Sequence, residues 1–256
     1  MKKQLLIVGT MLAALSGCVT ETTYVGKEVV QNSVDNKTAA KTRLSLAVGY
    51  MRKGDMAQAK LNIEKALSFD PDNPNVYLTQ AYYYQTVGDL TSAESSYRQL
   101  LARDGTNADA MNNYGAFLCA NKRYKEADEQ FNLALKQPKY VRMDDTYENA
   151  ALCSLKSGDK KKAAQYFDQA IGYNPGRGKL LLSASELALM DNNPAKAETY
   201  LKRYSVGGKE SAQSLWLRLQ LAQAQGEIAM LHKYGRQLVQ QYPKSDQARR
   251  YLNNDY

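Results

Sequence analysis

The stretch from Pro74 to Asn107 reads PNVYLTQAYYYQTVGDLTSAESSYRQLLARDGTN, 34 residues that contain one structural unit. Ala81 and Ala93 are small residues on either side of Gly88-Asp89, and the bulky Tyr97 follows. Gly suits the left-handed end of a first helix, and the acid after it suits the start of a second. Asn73-Pro74 at the head supplies a cap residue and a proline at the first helical position. Short side chains at Ala81 and Ala93 let two helix backbones approach closely, so the unit is predicted to be an antiparallel helix pair.

The same columns recur along the chain. Unit starts fall near Ala40, Pro74, Ala108, Asp144, Gly178 and Ala212, in steps of 34, 34, 36, 34 and 34 residues. The eighth position holds Ala47, Ala81, Gly115, Ala151 and Ser185, with Leu219 large. The twentieth holds Ala59, Ala93, Ala127, Ala163 and Ala197, then Leu231. The twenty-fourth is bulky at Ile63, Tyr97, Phe131, Phe167 and Leu201. Gly54, Gly88, Gly158 and Gly226 mark the inner turns, and Pro71, Pro175 and Pro243 the helix ends. Asn121-Lys122 and Asn192-Asn193 stand where that glycine is expected, and the third unit has a two-residue extension around Pro138 to Met143. The pattern matches the tetratricopeptide (TPR) template. It predicts an all-α fold: a right-handed superhelix, or α-α solenoid, of about six helix-turn-helix repeats over 40–256. Lys244 to about Asn254 is expected to form a capping helix, because terminal repeats close an open end.

Composition agrees with such a scaffold. Of 256 residues, 44% are hydrophobic and 23% charged, the range of ordinary globular chains. One histidine, His232, and three cysteines leave no multi-His or Cys₄ metal site. No nucleophile elbow, phosphate-binding loop or metalloprotease motif occurs, and Gly176-Arg177-Gly178 lacks the third glycine of a dinucleotide fingerprint. The paired carboxylates Asp144-Asp145 and Asp70/Asp72 flank helix starts, where capping accounts for them. The chain reads as a non-enzyme with no cofactor and no metal.

The first residues address the compartment. Met1-Lys2-Lys3 is basic and residues 5–15 are mostly apolar, a run too short to span a bilayer, which takes about 20 residues. They fit a secretory leader, 1–17. Leu15-Ser16-Gly17-Cys18 resembles the bacterial lipobox, which implies lipidation of Cys18 after cleavage. Val19 follows, not the Asp that retains such proteins at the inner membrane. By that resemblance the mature chain is expected on the periplasmic face of the outer membrane, held by its lipid. Residues 18–39 lack sustained periodicity and read as the lipidated N-terminus and a flexible tether. Losing Lys2 and Lys3 takes the formal charge from +8 to +6, with 32 basic residues against 26 acidic. A periplasmic location removes the nucleic-acid reading of that charge.

A stacked array offers a concave surface lined by first helices, which binds protein segments and has no built-in reactive centre. The candidate lining is Asn75, Leu78, Tyr82 and Gln85 in the second repeat, Asp109, Asn112 and Ala116 in the third, and Asp145, Glu148 and Leu152 in the fourth. Apolar contact combined with amide hydrogen bonding suits a helix or an extended peptide, with Tyr82, Asn112 and Glu148 as the expected contact residues. Cys119 and Cys153 lie 34 positions apart on adjacent first helices. A disulfide forms there if the side chains converge; two separate buried thiols is the other reading, and sequence phase allows both.

Lipobox, tether, six repeats and the string Asn112-Asn113-Tyr114-Gly115-Ala116-Phe117-Leu118-Cys119 together resemble the type IV pilus biogenesis and stability lipoproteins, the PilF/PilW family. The resemblance implies a pilotin-like protein that helps the pilus secretin reach the outer membrane and multimerise, or stabilises the fibre; the chain itself is expected to be monomeric. Two other roles suit the same scaffold: an accessory of outer-membrane barrel assembly, and an adaptor for peptidoglycan enzymes.

Overall fold

The computed structural model describes residues 28–207 and 209–256. The expected leader, Cys18 and the expected tether up to residue 27 lie outside the described residues. Thirteen α-helices and no strand occur among the described residues. They pair as α1 (Glu28–Arg52) with α2 (Met56–Phe69), α3 (Pro74–Val87) with α4 (Leu90–Arg103), and α5 (Ala108–Ala120) with α6 (Tyr124–Leu135). The series continues with α7 (Met143–Lys156) and α8 (Lys160–Tyr173), α9 (Gly178–Met190) and α10 (Pro194–Gly207), then α11 (Ala212–Ala224) and α12 (Ile228–Gln241). The short α13 (Asp246–Leu252) follows. Each helix packs against its partner and against the next pair, which makes an all-helical TPR solenoid.

Helix starts follow the repeat phase closely because caps are encoded locally. Asp55, Asp89 and Asp159 each accept a hydrogen bond from a first-turn backbone N–H, of Gln58, Ser92 and Lys162. The glycines before them, Gly54, Gly88 and Gly158, sit at φ of 80°, 81° and 89°, a region closed to most L-residues. Where glycine is missing, Lys122 and Asn192 take the same left-handed turn at φ of 62° and 52°.

One boundary is corrected. The expected tether reached residue 39, but α1 begins at Glu28 and runs unbroken past Ala40. Nothing in residues 28–39 interrupts it, since that stretch has neither glycine nor proline. Short irregular-looking polar sequence lengthened the first helix of the array.

The core is the sum of the columns. Ala59, Ala93, Ala127, Ala163 and Ala197 are fully buried between paired helices, and Phe131 and Phe167 fill the bulky position. In the third pair the small position must be glycine. A Cβ on Gly115 would stand 2.7 Å from the Phe131 ring and 3.1 Å from the Ala127 carbonyl oxygen. The sixth pair exchanges sizes: Leu231 is large and buried, while Gly235 leaves a hollow that the Tyr251 ring of α13 occupies. The atypical last repeat is thus shaped to receive its cap.

Second helices are tied across repeats by acid-tyrosine-cation groups. Asp128 accepts hydrogen bonds from Tyr166 (2.8 Å) and pairs with Lys162 (2.7 Å). Asp168 does the same with Tyr200 and Lys196. Burial pushes the Tyr166 phenol up to about 12, and its hydrogen bond to Asp128 adds to this.

Candidate functional site

The first helices α1 and α3 pack on each other, as do α5 and α7, and their outer face is the candidate surface for a partner segment. Ten positions on that face were expected to be available. The structure leaves three of them exposed: Asn75, Tyr82 (53% exposed) and Ala116.

The other seven are drawn into the array itself. Leu78 and Leu152 are half-buried and pack on neighbouring core clusters. Gln85 donates through Nε2 to the Tyr97 hydroxyl at 2.8 Å. Asp109 pairs with Arg142 at 3.0 Å. Asp145 takes Arg177 at 2.6 Å and Arg142 at 2.9 Å. Burial would raise the Asp145 carboxyl, but hydrogen bonds from Arg177 and Arg142 outweigh it and hold the group below the usual carboxylate range.

Asn112 and Glu148, two of the three expected contact residues, are corrected. Asn112 is 2% exposed and its Oδ1 accepts a 3.0 Å hydrogen bond from Asn149 Nδ2. Glu148 is 3% exposed and lies 2.8 Å from Arg177 and 3.2 Å from Lys179. Polar residues on a first helix were assumed to face a ligand. Here the stacking of repeats turns them toward the next first helix, where Asn149 bonds to Asn112 and Arg177 and Lys179 pair with Glu148.

Cys119 and Cys153 form a disulfide, with Cα atoms 5.8 Å apart. Both are buried in the cluster around Tyr114, Phe117 and Phe131. The bond joins α5 to α7 and clamps the third repeat on the fourth.

A cleft of about 650 Å³ opens at the N-terminal end of the array. Lys37, Lys41, Leu44, Val48 and Arg52 of α1 line one wall, and Asn75 and Thr79 of α3 the other. Asp70 and Asn73 form its end. Three cations face one carboxylate there, over an apolar floor. These α1 residues were not singled out from sequence: Lys37 fell in the expected tether, and the candidate lining was drawn from the second, third and fourth repeats alone. Their spacing at 37, 41, 44, 48 and 52 is nevertheless that of one helical face.

No group of three or more His, Cys, Asp or Glu among the described residues could hold a metal ion, and no described helix is long and apolar enough to cross a membrane. His232 is exposed, with Nδ1 3.3 Å from the Tyr251 hydroxyl.

Fold and face together define a protein-binding repeat scaffold. The tetratricopeptide repeat family matches over residues 78–140 and 151–227, and again over 40–73. Within that class, the chain is 30% identical to the type IV pilus assembly protein PilF of Pseudomonas aeruginosa, over 93% of this chain and 94% of the relative. The solved structure of that PilF superposes with a TM-score of 0.70, covering 86% of this chain and 99% of its own. The crystal structure of PilW, a widely conserved type IV pilus biogenesis factor, superposes with a TM-score of 0.72 at 29% identity, covering 83% and 98%. An uncharacterised protein of Haemophilus influenzae is 37% identical over 48% of this chain and 69% of its own length. The chain belongs to the PilF/PilW family of TPR proteins of type IV pilus biogenesis.

Proposed function

We propose that this protein is an outer-membrane lipoprotein, acylated at Cys18, that acts as a non-catalytic, pilotin-like scaffold for the type IV pilus secretin. The observation that carries the reading is the full-length likeness to PilF, which spans nearly all of both chains and not the repeats alone. The lipobox supports the anchor and the periplasmic location. The N-terminal cleft supplies the binding element: basic side chains around Leu44 and Val48 suit a partner segment with apolar anchors and an acidic flank.

The test is secretin multimerisation in a deletion strain, complemented with the wild-type gene, with Cys18→Ala, or with Lys41→Glu. Multimers and twitching motility are expected only with the first. Normal multimers and wild-type motility in the deletion strain itself would sink the reading.

A further inference from the structure

The antiparallel pairing puts every link between one repeat and the next on a single edge of the solenoid, opposite the glycine turns. Ion pairs set these links side by side: Asp72 with Arg103, Asp109 with Arg142, and Asp144 with Arg177, each at 3.0 Å. The first two links, at residues 70–73 and 104–107, are acidic through Asp70, Asp72 and Asp104.

The next three have a different character. Val141 and Val206 are 87% and 90% exposed, the two most exposed large hydrophobic side chains among the described residues. Val206 stands in the last turn of α10, and Tyr173, the last residue of α8 at the junction between the two valines, is 55% exposed and stacks on Tyr147. Val141 points outward for a structural reason. Its neighbour Tyr140 folds back onto the cluster of Ala108, Met111 and Ala134, and its hydroxyl meets Thr146 Oγ1 at 2.8 Å. Lysines flank the valines at Lys139 and Lys209, and the acids beside them are paired: Asp144 with Arg177 at 3.0 Å, Asp145 with Arg142 at 2.9 Å and Glu210 with Arg218 at 3.0 Å.

A single exposed valine needs no explanation. Protruding apolar side chains at successive junctions between repeats, set among lysines and a half-exposed tyrosine, make the pattern of an interfacial contact: the apolar tips enter the headgroup boundary and the cations meet anionic lipid. We infer that the edge running through Val141, Tyr173 and Val206 is a membrane-contact face that lays the solenoid on an anionic bilayer surface. α1 runs antiparallel to α2 and ends at the glycine-turn edge, so its Glu28 end emerges at the link edge. The N-terminal end of the described residues therefore lies on the same side as the inferred membrane-contact face. The inference does not require Cys18 to be acylated.

The test uses the full chain carrying Cys18→Ser, so that acylation plays no part. Val141→Cys, Val206→Cys or Ile228→Cys is added for an environment-sensitive fluorophore. Ile228 is exposed on the opposite edge and serves as the control. Each labelled chain is mixed with phosphatidylcholine vesicles, with or without phosphatidylglycerol, containing nitroxide-labelled lipid. Quenching at 141 and 206 is expected to exceed that at 228 by about threefold or more, to need the anionic lipid, and to fall when Lys139→Glu and Lys209→Glu are added. Equal quenching at all three positions, quenching at none, or indifference to phosphatidylglycerol would overturn the inference. None of these outcomes bears on secretin assembly or lipidation, which the complementation experiment addresses separately.

Discussion

The Arg177 guanidinium, at the start of α9, closes on the Glu148 carboxylate of α7 at 2.8 Å across the boundary between the fourth and fifth repeats. The same guanidinium reaches Asp144 and Asp145, so one arginine holds three carboxylates of the neighbouring repeat. Arg177→Met leaves Glu148 buried with only Lys179 nearby. Breaking such a pair is expected to destabilise the array by about 2 to 3 kcal/mol. Urea unfolding measures it, and Arg177→Lys is expected to recover part of the loss. An unchanged midpoint for Arg177→Met would show that the buried carboxylate needs no guanidinium.

The Cys119–Cys153 disulfide spans one whole repeat. Cys119→Ser with Cys153→Ser is expected to lower stability by about 2 to 4 kcal/mol through restored freedom of the unfolded chain. Denaturant curves of the wild type should shift by the same amount on adding reductant. The doubly substituted chain should not respond to reductant at all.

Lys122 occupies the left-handed turn that glycine fills in four other repeats, at φ of 62°. Lys122→Gly should relieve strain of about 1 kcal/mol and raise the midpoint of unfolding. The contrasting substitution Gly88→Lys, at φ of 81°, is expected to lower it.

Glu94 accepts hydrogen bonds from Arg123 and Tyr114, both at 2.7 Å. The Arg123 hydrogen bond, opposed by burial, holds its carboxyl down at about 2. A depressed carboxyl adds stability that is complete above its unfolded value, 4.5, and disappears as pH falls toward 2. Solvent screening at this partly exposed site limits the contribution to about 1 kcal/mol. Glu94→Gln should lower stability at neutral pH by that amount and flatten the pH dependence between 4.5 and 2. Thermal melts across that window read both effects.

Lys41 and Tyr82 are exposed on the first-helix face, with little of the fold resting on them. Lys41→Glu and Tyr82→Ala should therefore change stability by less than about 0.5 kcal/mol. If the cleft and its neighbouring face hold the partner, each should weaken capture of the secretin in co-purification. Retained capture by folded double variants would place the binding surface elsewhere.

The repeat phase was legible from residue types alone. Alanine, glycine and proline columns act within one or two helical turns, through caps, left-handed turns and close helix approach, and the helix starts at Pro74, Ala108, Gly178 and Ala212 coincide with them. The class of protein followed from the same columns. Availability of side chains did not follow, because it depends on how one repeat leans on the next. Asn112 and Glu148 occupy first-helix positions that a column count assigns to a ligand, yet Asn149, Arg177 and Lys179 from neighbouring helices consume them. Convergence of Cys119 with Cys153, and the filling of Gly235 by Tyr251, likewise rest on contacts between separate units. A 34-residue period sets what each unit is. The stacking angle between units, which belongs to the assembled solenoid, sets which of its faces are left for a partner.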